Sequence, residues 1–257
     1  MTMAFLWDES VAELLRSAIR KKLATYSPET NHMPFHTLLL GKDRMALYSF
    51  VQSLNTNFGT AIFEPIAIHL SMGRFKSAQK QFIVGKKISS EAQLAIQNIV
   101  NQLNSASSQP SKSDEIDIIR QVCQQGRMVD IKTIRADIFL EDEQGAVYLF
   151  DLKTAKPNAG MFKDFKRILL EWVAIYLLDY PQANIHTAIS IPYNPYAPEP
   201  YTRWTLRGML DLDTELYVAE QFWDFLGGDG AYDHLLTIFE RVGIELRPEI
   251  DARFKQF

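Results

Sequence analysis

The sequence predicts an α/β fold, a mixed β-sheet core flanked by helices and preceded by a helical N-terminal region. Three observations support this. The first hundred residues carry apolar residues at helical spacing. Two short segments further on, TIRADIFL (Thr133 to Leu140) and VYLFDLKT (Val147 to Thr154), are rich in β-branched and aromatic residues and are joined by the polar, Gly145-containing EDEQGA. A helical pattern and then another apolar β-like run follow them, and strand, strand, helix, strand is the order of a mixed sheet with helices packed against it.

The elements follow in order. Ser10 to Thr25 places Val11, Leu14, Leu15, Ala18, Ile19 and Leu23 near one helical stripe, and Pro28 ends it. Further helices are predicted over Lys42 to Leu54, Thr60 to Met72 and Glu91 to Leu103. Between Arg74 and Lys87 the run RFKSAQKQFIVGKK has five basic residues and no acidic one, which fits either a phosphate-contacting surface or a solvated face. NSASSQPSKSD, Asn104 to Asp114, is a polar loop around Pro110. After the hairpin come a helix over Met161 to Leu178 and a buried strand over Asn184 to Ile191. The Pro- and Tyr-rich IPYNPYAPEPY is excluded from a central strand because proline cannot donate to the ladder. EQFWDFLGGDGAY turns the chain at its glycines, and a last helix is predicted over Asp233 to Val242. No internal repeat is visible. The reading is one domain over residues 1–257: a largely helical part over 1–105, an α/β core over 115–192, and a loop with helices over 193–257.

Composition narrows the class. The 257 residues are 47% hydrophobic and 23% charged with a net charge of −4, values that imply a buried core and exclude a bulk polycation. Any contact with nucleic acid then depends on local basic patches. Cys123 is the only cysteine, which rules out an intrachain disulfide and a cysteine zinc knuckle and fits a reducing cytoplasm. Met1 to Trp7 is apolar but runs directly into Asp8 and Glu9, so no signal peptide is expected, and no apolar run approaches the ~18–20 residues that span a bilayer.

The chemistry-bearing pattern is in the hairpin. Side chains alternate across a strand, so Asp151 and Lys153 share one face of VYLFDLKT while Phe150 and Leu152 take the other. If Leu140 pairs with Tyr148, Asp137 stands opposite Asp151, with β-carbons ~4.5–5.5 Å apart. Two carboxylates that close repel unless a divalent cation lies between them. An oxygen-only set completed by water and a phosphate suits Mg²⁺. Lys153 would then orient water and offset developing negative charge in a direct phosphodiester hydrolysis. The same spacing fits a plain Asp–Lys salt bridge on a sheet face equally well, and spacing alone does not separate the two. Lys156, Lys163, Lys166 and Arg167 flank the pattern and are expected to meet DNA phosphates.

With RAD at Arg135–Asp137 and DLK at Asp151–Lys153, the chain resembles the PD-(D/E)XK nuclease superfamily, although Ala136 stands where that family has proline. More narrowly it resembles the TdeIII-like type II restriction endonucleases, in FGTAIFEPIA (Phe58 to Ala67), YLFDLKTAKPN (Tyr148 to Asn158), FKRILLEW (Phe165 to Trp172) and EQFWDFLGG (Glu220 to Gly228). The resemblance implies a bacterial, Mg²⁺-dependent endonuclease (Mn²⁺ substituting) that cuts double-stranded DNA at a short palindrome of the GGNCC kind. It also implies a homodimer and a cognate DNA methyltransferase as system partner. Asp137, Asp151 and Lys153 are its catalytic residues, with Asp137 and Asp151 as metal ligands. Glu64 matches an acidic residue on the family's first core helix, and it equally fits a residue that merely precedes the turn at Pro65.

Other candidates are weaker. His32 and His36 have a zinc-like spacing, but Pro34 interrupts them and no cysteine lies nearby. No phosphate-cradling G-x-x-x-x-G-K-[ST] loop occurs, so ATP-driven cutting is not expected. Arg203 and Arg207 in YTRWTLRG are candidates for donating to guanine in the major groove, or are surface arginines. The competing functions are a structure-specific repair or junction nuclease and a catalytically inactive DNA-binding module. The presence of all three catalytic residues disfavours the latter.

Overall fold

The computed structural model describes residues 5–27, 33–153, 162–201 and 208–254. In chain order these form α1 (Asp8–Thr25), α2 (Pro34–Leu40), α3 (Lys42–Asn57), a π-helical turn (Phe58–Phe63), α4 (Glu64–Ser71), β1 (Ser77–Ser89), α5 (Ser90–Asn104) and α6 (Lys112–Val122). There follow β2 (Met128–Glu141), β3 (Val147–Leu152), α7 (Phe162–Asp179), β4 (Ile185–Ile191), β5 (Leu216–Val218), α8 (Glu220–Gly227) and α9 (Ala231–Phe254). The chain separates into two compact units, Met1–Leu70 with Asp229–Phe257, and Ser71–Gly228.

The first unit is helical. The stripe foreseen on α1 buries Val11, Leu15 and Leu23. Exposed ion pairs tie α1 to α9, Arg16 to Glu245 at 2.9 Å and Arg20 to Glu249 at 2.8 Å. Asp8, at the head of α1, contacts His234 and Arg241 at 2.6 Å each, and although burial opposes it, these two hold its carboxyl below the usual range. Leu23, Tyr26 and Phe50 form an apolar cluster with Ile250 and Phe254 packed on it. The helix expected over Thr60 to Met72 begins as the π-helical turn and becomes α-helical only at Glu64.

The second unit contains the sheet, in the order β1-β2-β3-β4-β5. The β1/β2 and β2/β3 pairs are antiparallel, whereas β3/β4 and β4/β5 are parallel. The parallel β3/β4 pair requires a crossover, and α7 supplies it. Thr187 on β4 donates to Leu169 O of α7 at 3.1 Å, which fixes α7 on one face of the sheet. On the other face Phe150 packs edge-on against Phe222 of α8 and Tyr217 of β5. The aromatic run at Phe222–Phe225 is thus a packed helix, anchored also by Trp223 Nε1 donating to Pro192 O at 2.8 Å.

The sheet extends beyond the 115–192 core that the sequence indicated. The basic run is largely β1, within the stretch read as helical, and β5 lies past Ile191. Strand β1 alternates only imperfectly, with shifts in its pairing to β2 on both sides of Gly85, so period-two patterning could not reveal it. Lys112–Asp114, expected in a loop, open α6, whose Lys112 and Glu115 side chains are buried.

Candidate active site

The observed register of β2 and β3 is the one foreseen. Leu140 pairs with Tyr148, and the ladder runs to Ile138–Phe150, so Asp137 and Asp151 are the next residues beyond its last pair. There the backbone ladder gives way to side-chain pairing: Leu152 N donates to Asp137 Oδ2 at 2.8 Å. The second oxygen, Asp137 Oδ1, accepts from Gln81 Nε2 of β1 at 3.2 Å. Alternation places both acids on the α7 face, opposite Phe150.

Asp151 is only 6% exposed and pairs with Lys153, Nζ to Oδ1 at 2.7 Å. Burial pushes its carboxyl up to about 6, against the opposing pull of Lys153 and with a further push from neighbouring Asp137. Lys153 is held from two sides. Its backbone N donates to Ser190 O of β4 at 2.9 Å, and its Nζ lies 5.1 Å from the centre of the Phe165 ring of α7. Two carboxylates and one ammonium therefore meet where β3 ends beside the start of α7. The Asp–Lys pair is the salt bridge that the spacing also allowed, half-enclosed rather than lying on an exposed sheet face.

Among the described residues no three His, Cys, Asp or Glu side chains converge as a metal-type cluster. The acids that this site brings together are Asp137 and Asp151. Both offer oxygen only, the donor chemistry that Mg²⁺ and Mn²⁺ accept. A buried carboxylate whose ionisation is resisted beside a second acid is a site that a cation would relieve.

The remaining sequence candidates divide. Lys163 is exposed near the start of α7, and Arg167 donates to Gln97 Oε1 at 2.6 Å. Glu64 is buried at the head of α4, in the helical unit. Lys156, Arg203, Arg207 and His32 lie outside the described residues.

Lys166 is a correction. It is fully buried, with Nζ 2.5 Å from Glu115 and 2.6 Å from Glu215, and cannot meet a phosphate. Lys112 joins it on Glu215 at 2.8 Å. Burial pushes Glu215 up, but these two lysines outweigh it and hold it net low. The physical reason is helical phase: 166 falls on the inward stripe with Phe162, Phe165, Leu169, Leu170 and Val173.

Sequence reasoning missed Gln81, which carries no motif, and the Lys112–Glu115–Lys166–Glu215 cluster. Only the helical phase of Lys166 signals the cluster beforehand.

A five-stranded mixed sheet flanked by helices, with acids and a lysine gathered at the end of its middle strand, is the frame of an α/β nuclease. The chain belongs to the HinfI family of type II restriction endonucleases, whose model matches residues 6–243. It is similar to the type II restriction enzyme HgiCII of Herpetosiphon aurantiacus, 23% identical over 90% of this chain and 85% of that protein. HgiEI of the same organism is also 23% identical, over 91% and 85%. MjaII of Methanocaldococcus jannaschii is 26% identical over 92% of this chain and 69% of its own length. The chain is accordingly an enzyme, a type II site-specific deoxyribonuclease. No helix among the described residues is long and apolar enough to cross a membrane.

Proposed function

We propose that this enzyme hydrolyses phosphodiesters of double-stranded DNA in the manner of the PD-(D/E)XK superfamily, with Asp137 and Asp151 holding Mg²⁺ and Lys153 beside them. The observation that carries this reading is the convergence of a buried Asp151, its ion pair to Lys153 at 2.7 Å, and Asp137 tethered to Leu152 N at 2.8 Å. When bound, a divalent cation supplies Lewis-acid stabilisation of charge on the phosphoryl group and eases ionisation of water. The protein's own residues do the rest. Asp151 and Asp137 supply negative charge on one face, and the two hydrogen bonds to Asp137 keep its carboxylate fixed. The Lys153 ammonium, set between Asp151 and the Phe165 ring, orients the attacking water and offsets negative charge as it develops. No nucleophilic side chain is needed, so hydrolysis is direct. Glu64, buried at the head of α4, keeps the two roles that the sequence leaves open, the acidic residue of the family's first core helix or a residue that merely precedes the turn at Pro65.

Exposed Lys80, Lys86 and Lys87 of β1 and Lys163 of α7 supply phosphate contacts in this reading. Lys156, Arg203 and Arg207 keep the DNA-contacting roles that the sequence suggests. A short palindrome, of the GGNCC kind that the TdeIII-like resemblance implies, matches a homodimer whose two-fold axis mirrors that of the site. The enzyme works in the bacterial cytoplasm beside a methyltransferase that protects the host.

The test is digestion of unmethylated phage DNA by purified protein with Mg²⁺, with and without EDTA. Discrete, EDTA-sensitive fragments are expected, and sequencing their ends gives the site. Smears or preferential cutting of junctions would point instead to a structure-specific nuclease, and intact DNA in both Mg²⁺ and Mn²⁺ to a binding module.

A further inference from the structure

Gln81 stands in β1 between Lys80, which pairs with Ile138, and Phe82, which pairs with Ala136, so it faces Asp137 across the ladder. Its backbone is left-handed, φ 53°, a conformation that an L side chain inside a strand adopts only against steric resistance. Among the described contacts, two brace that irregularity. Arg135 Nη1 donates to Gln81 O at 3.1 Å, and Gln81 Nε2 donates to Asp137 Oδ1 at 3.2 Å. The strained residue is therefore the one that reaches the acid. Together with Leu152 N on Oδ2, it fixes the Asp137 carboxylate through both oxygens.

We propose that Gln81 is a positioning residue of the active site, its carboxamide orienting Asp137 toward the cation and the left-handed backbone at 81, braced by Arg135, delivering it there. The choice of side chain fits the task. A carboxamide donates a hydrogen bond without adding charge, whereas a lysine there would compete with the cation and a glutamate would repel Asp137. Hydrogen-bond partners of metal-ligating side chains orient them, and their loss weakens metal binding roughly ten- to hundredfold. The inference rests on the reading of Asp137 as a metal ligand.

The test uses Gln81→Met, which keeps length and packing but removes the donor, and Gln81→Gly, which removes the side chain and relaxes the backbone. Both are expected to raise the Mg²⁺ concentration for half-maximal cleavage about tenfold or more. Ca²⁺ binding by calorimetry should weaken in parallel, with KM for DNA unchanged. The melting temperature of Gln81→Gly in EDTA should equal or exceed that of the wild type, because the strain is gone. Wild-type Mg²⁺ and Ca²⁺ dependence in both variants would overturn the proposal and leave Gln81 a structural residue. Asp137→Asn serves as the control. If it is inactive while the Gln81 variants bind Ca²⁺ normally, this inference alone falls; if it cuts like the wild type, the reading of Asp137 falls and takes this one with it.

Discussion

Asp137 Oδ2 accepts the backbone N–H of Leu152 at 2.8 Å, so the acid of β2 is tied to the residue lying between Asp151 and Lys153 on β3. One contact thereby sets the spacing of three charged groups and closes the ladder beyond Ile138–Phe150. Asp137→Ala removes an acceptor as well as a charge, and should cost about 1–2 kcal/mol of stability together with all cleavage. Asp137→Asn keeps an acceptor, so it should unfold near the wild-type urea midpoint while remaining inactive. Equal destabilisation by both substitutions would show that the tether contributes nothing.

Asp151 makes stability and metal binding depend on pH in opposite senses. Its folded pKa of about 6 lies above the ordinary carboxylate value, chiefly through burial. The folded state therefore holds the proton more tightly than the unfolded chain, and metal-free stability falls as pH rises from about 4 to 6. Metal binding needs the ionised form, so cation affinity should drop about tenfold per pH unit below 6. In EDTA at neutral pH, Asp151→Asn should be the more stable protein by about 1–3 kcal/mol, a gain that vanishes near pH 4. Calorimetric Ca²⁺ titrations at several pH values and melting curves in EDTA measure both.

Lys153 contacts Asp151 but donates nothing to a cation. Lys153→Ala should therefore abolish turnover and leave Ca²⁺ binding at neutral pH detectable by calorimetry. Normal turnover would reduce Lys153 to a salt-bridge partner.

Lys166 lies between Glu115 and Glu215 with no exposure. Lys166→Met leaves two buried glutamates short of a cation, and should destabilise by about 3–5 kcal/mol in chemical denaturation. A phosphate-contacting role would instead leave stability unchanged and weaken DNA binding in a salt-dependent way.

Gly85 of β1 sits beneath α7: a β-carbon there would lie 2.5 Å from Ile175 Cγ2. Gly85→Ala should cost about 1–3 kcal/mol through overpacking, with part recovered by Ile175→Leu, which removes the β-branch. Additive losses in the double variant would refute the contact.

Much of this architecture is legible in the residues themselves. The hairpin follows from the two β-rich runs around EDEQGA, and the shared face of Asp151 and Lys153 from alternation, whereas the Leu140–Tyr148 register is one of the pairings the sequence allows and the ladder selects it. The helices α1, α3, α5 and α7 follow from apolar spacing. What was hidden depends on irregularity or on partners distant in sequence. Strand β1 is broken by Gln81 and Gly85, so its pattern does not read as period two. Lys112 looks like a loop residue until Glu215, more than a hundred positions away, is seen to pair with it. Gln81 becomes part of the site only through a left-handed backbone that its neighbours in sequence do not announce.

The assignment of Asp151 to the active site is tested by comparing wild type and Asp151→Asn on the same unmethylated DNA fragment carrying one site, measuring cleavage in Mg²⁺ and binding in Ca²⁺ by gel shift. Discrete cutting by the wild type, no detectable cutting by Asp151→Asn, and retained specific binding by both are expected. Cutting by Asp151→Asn at the wild-type rate would contradict the assignment and place the active site elsewhere in the chain.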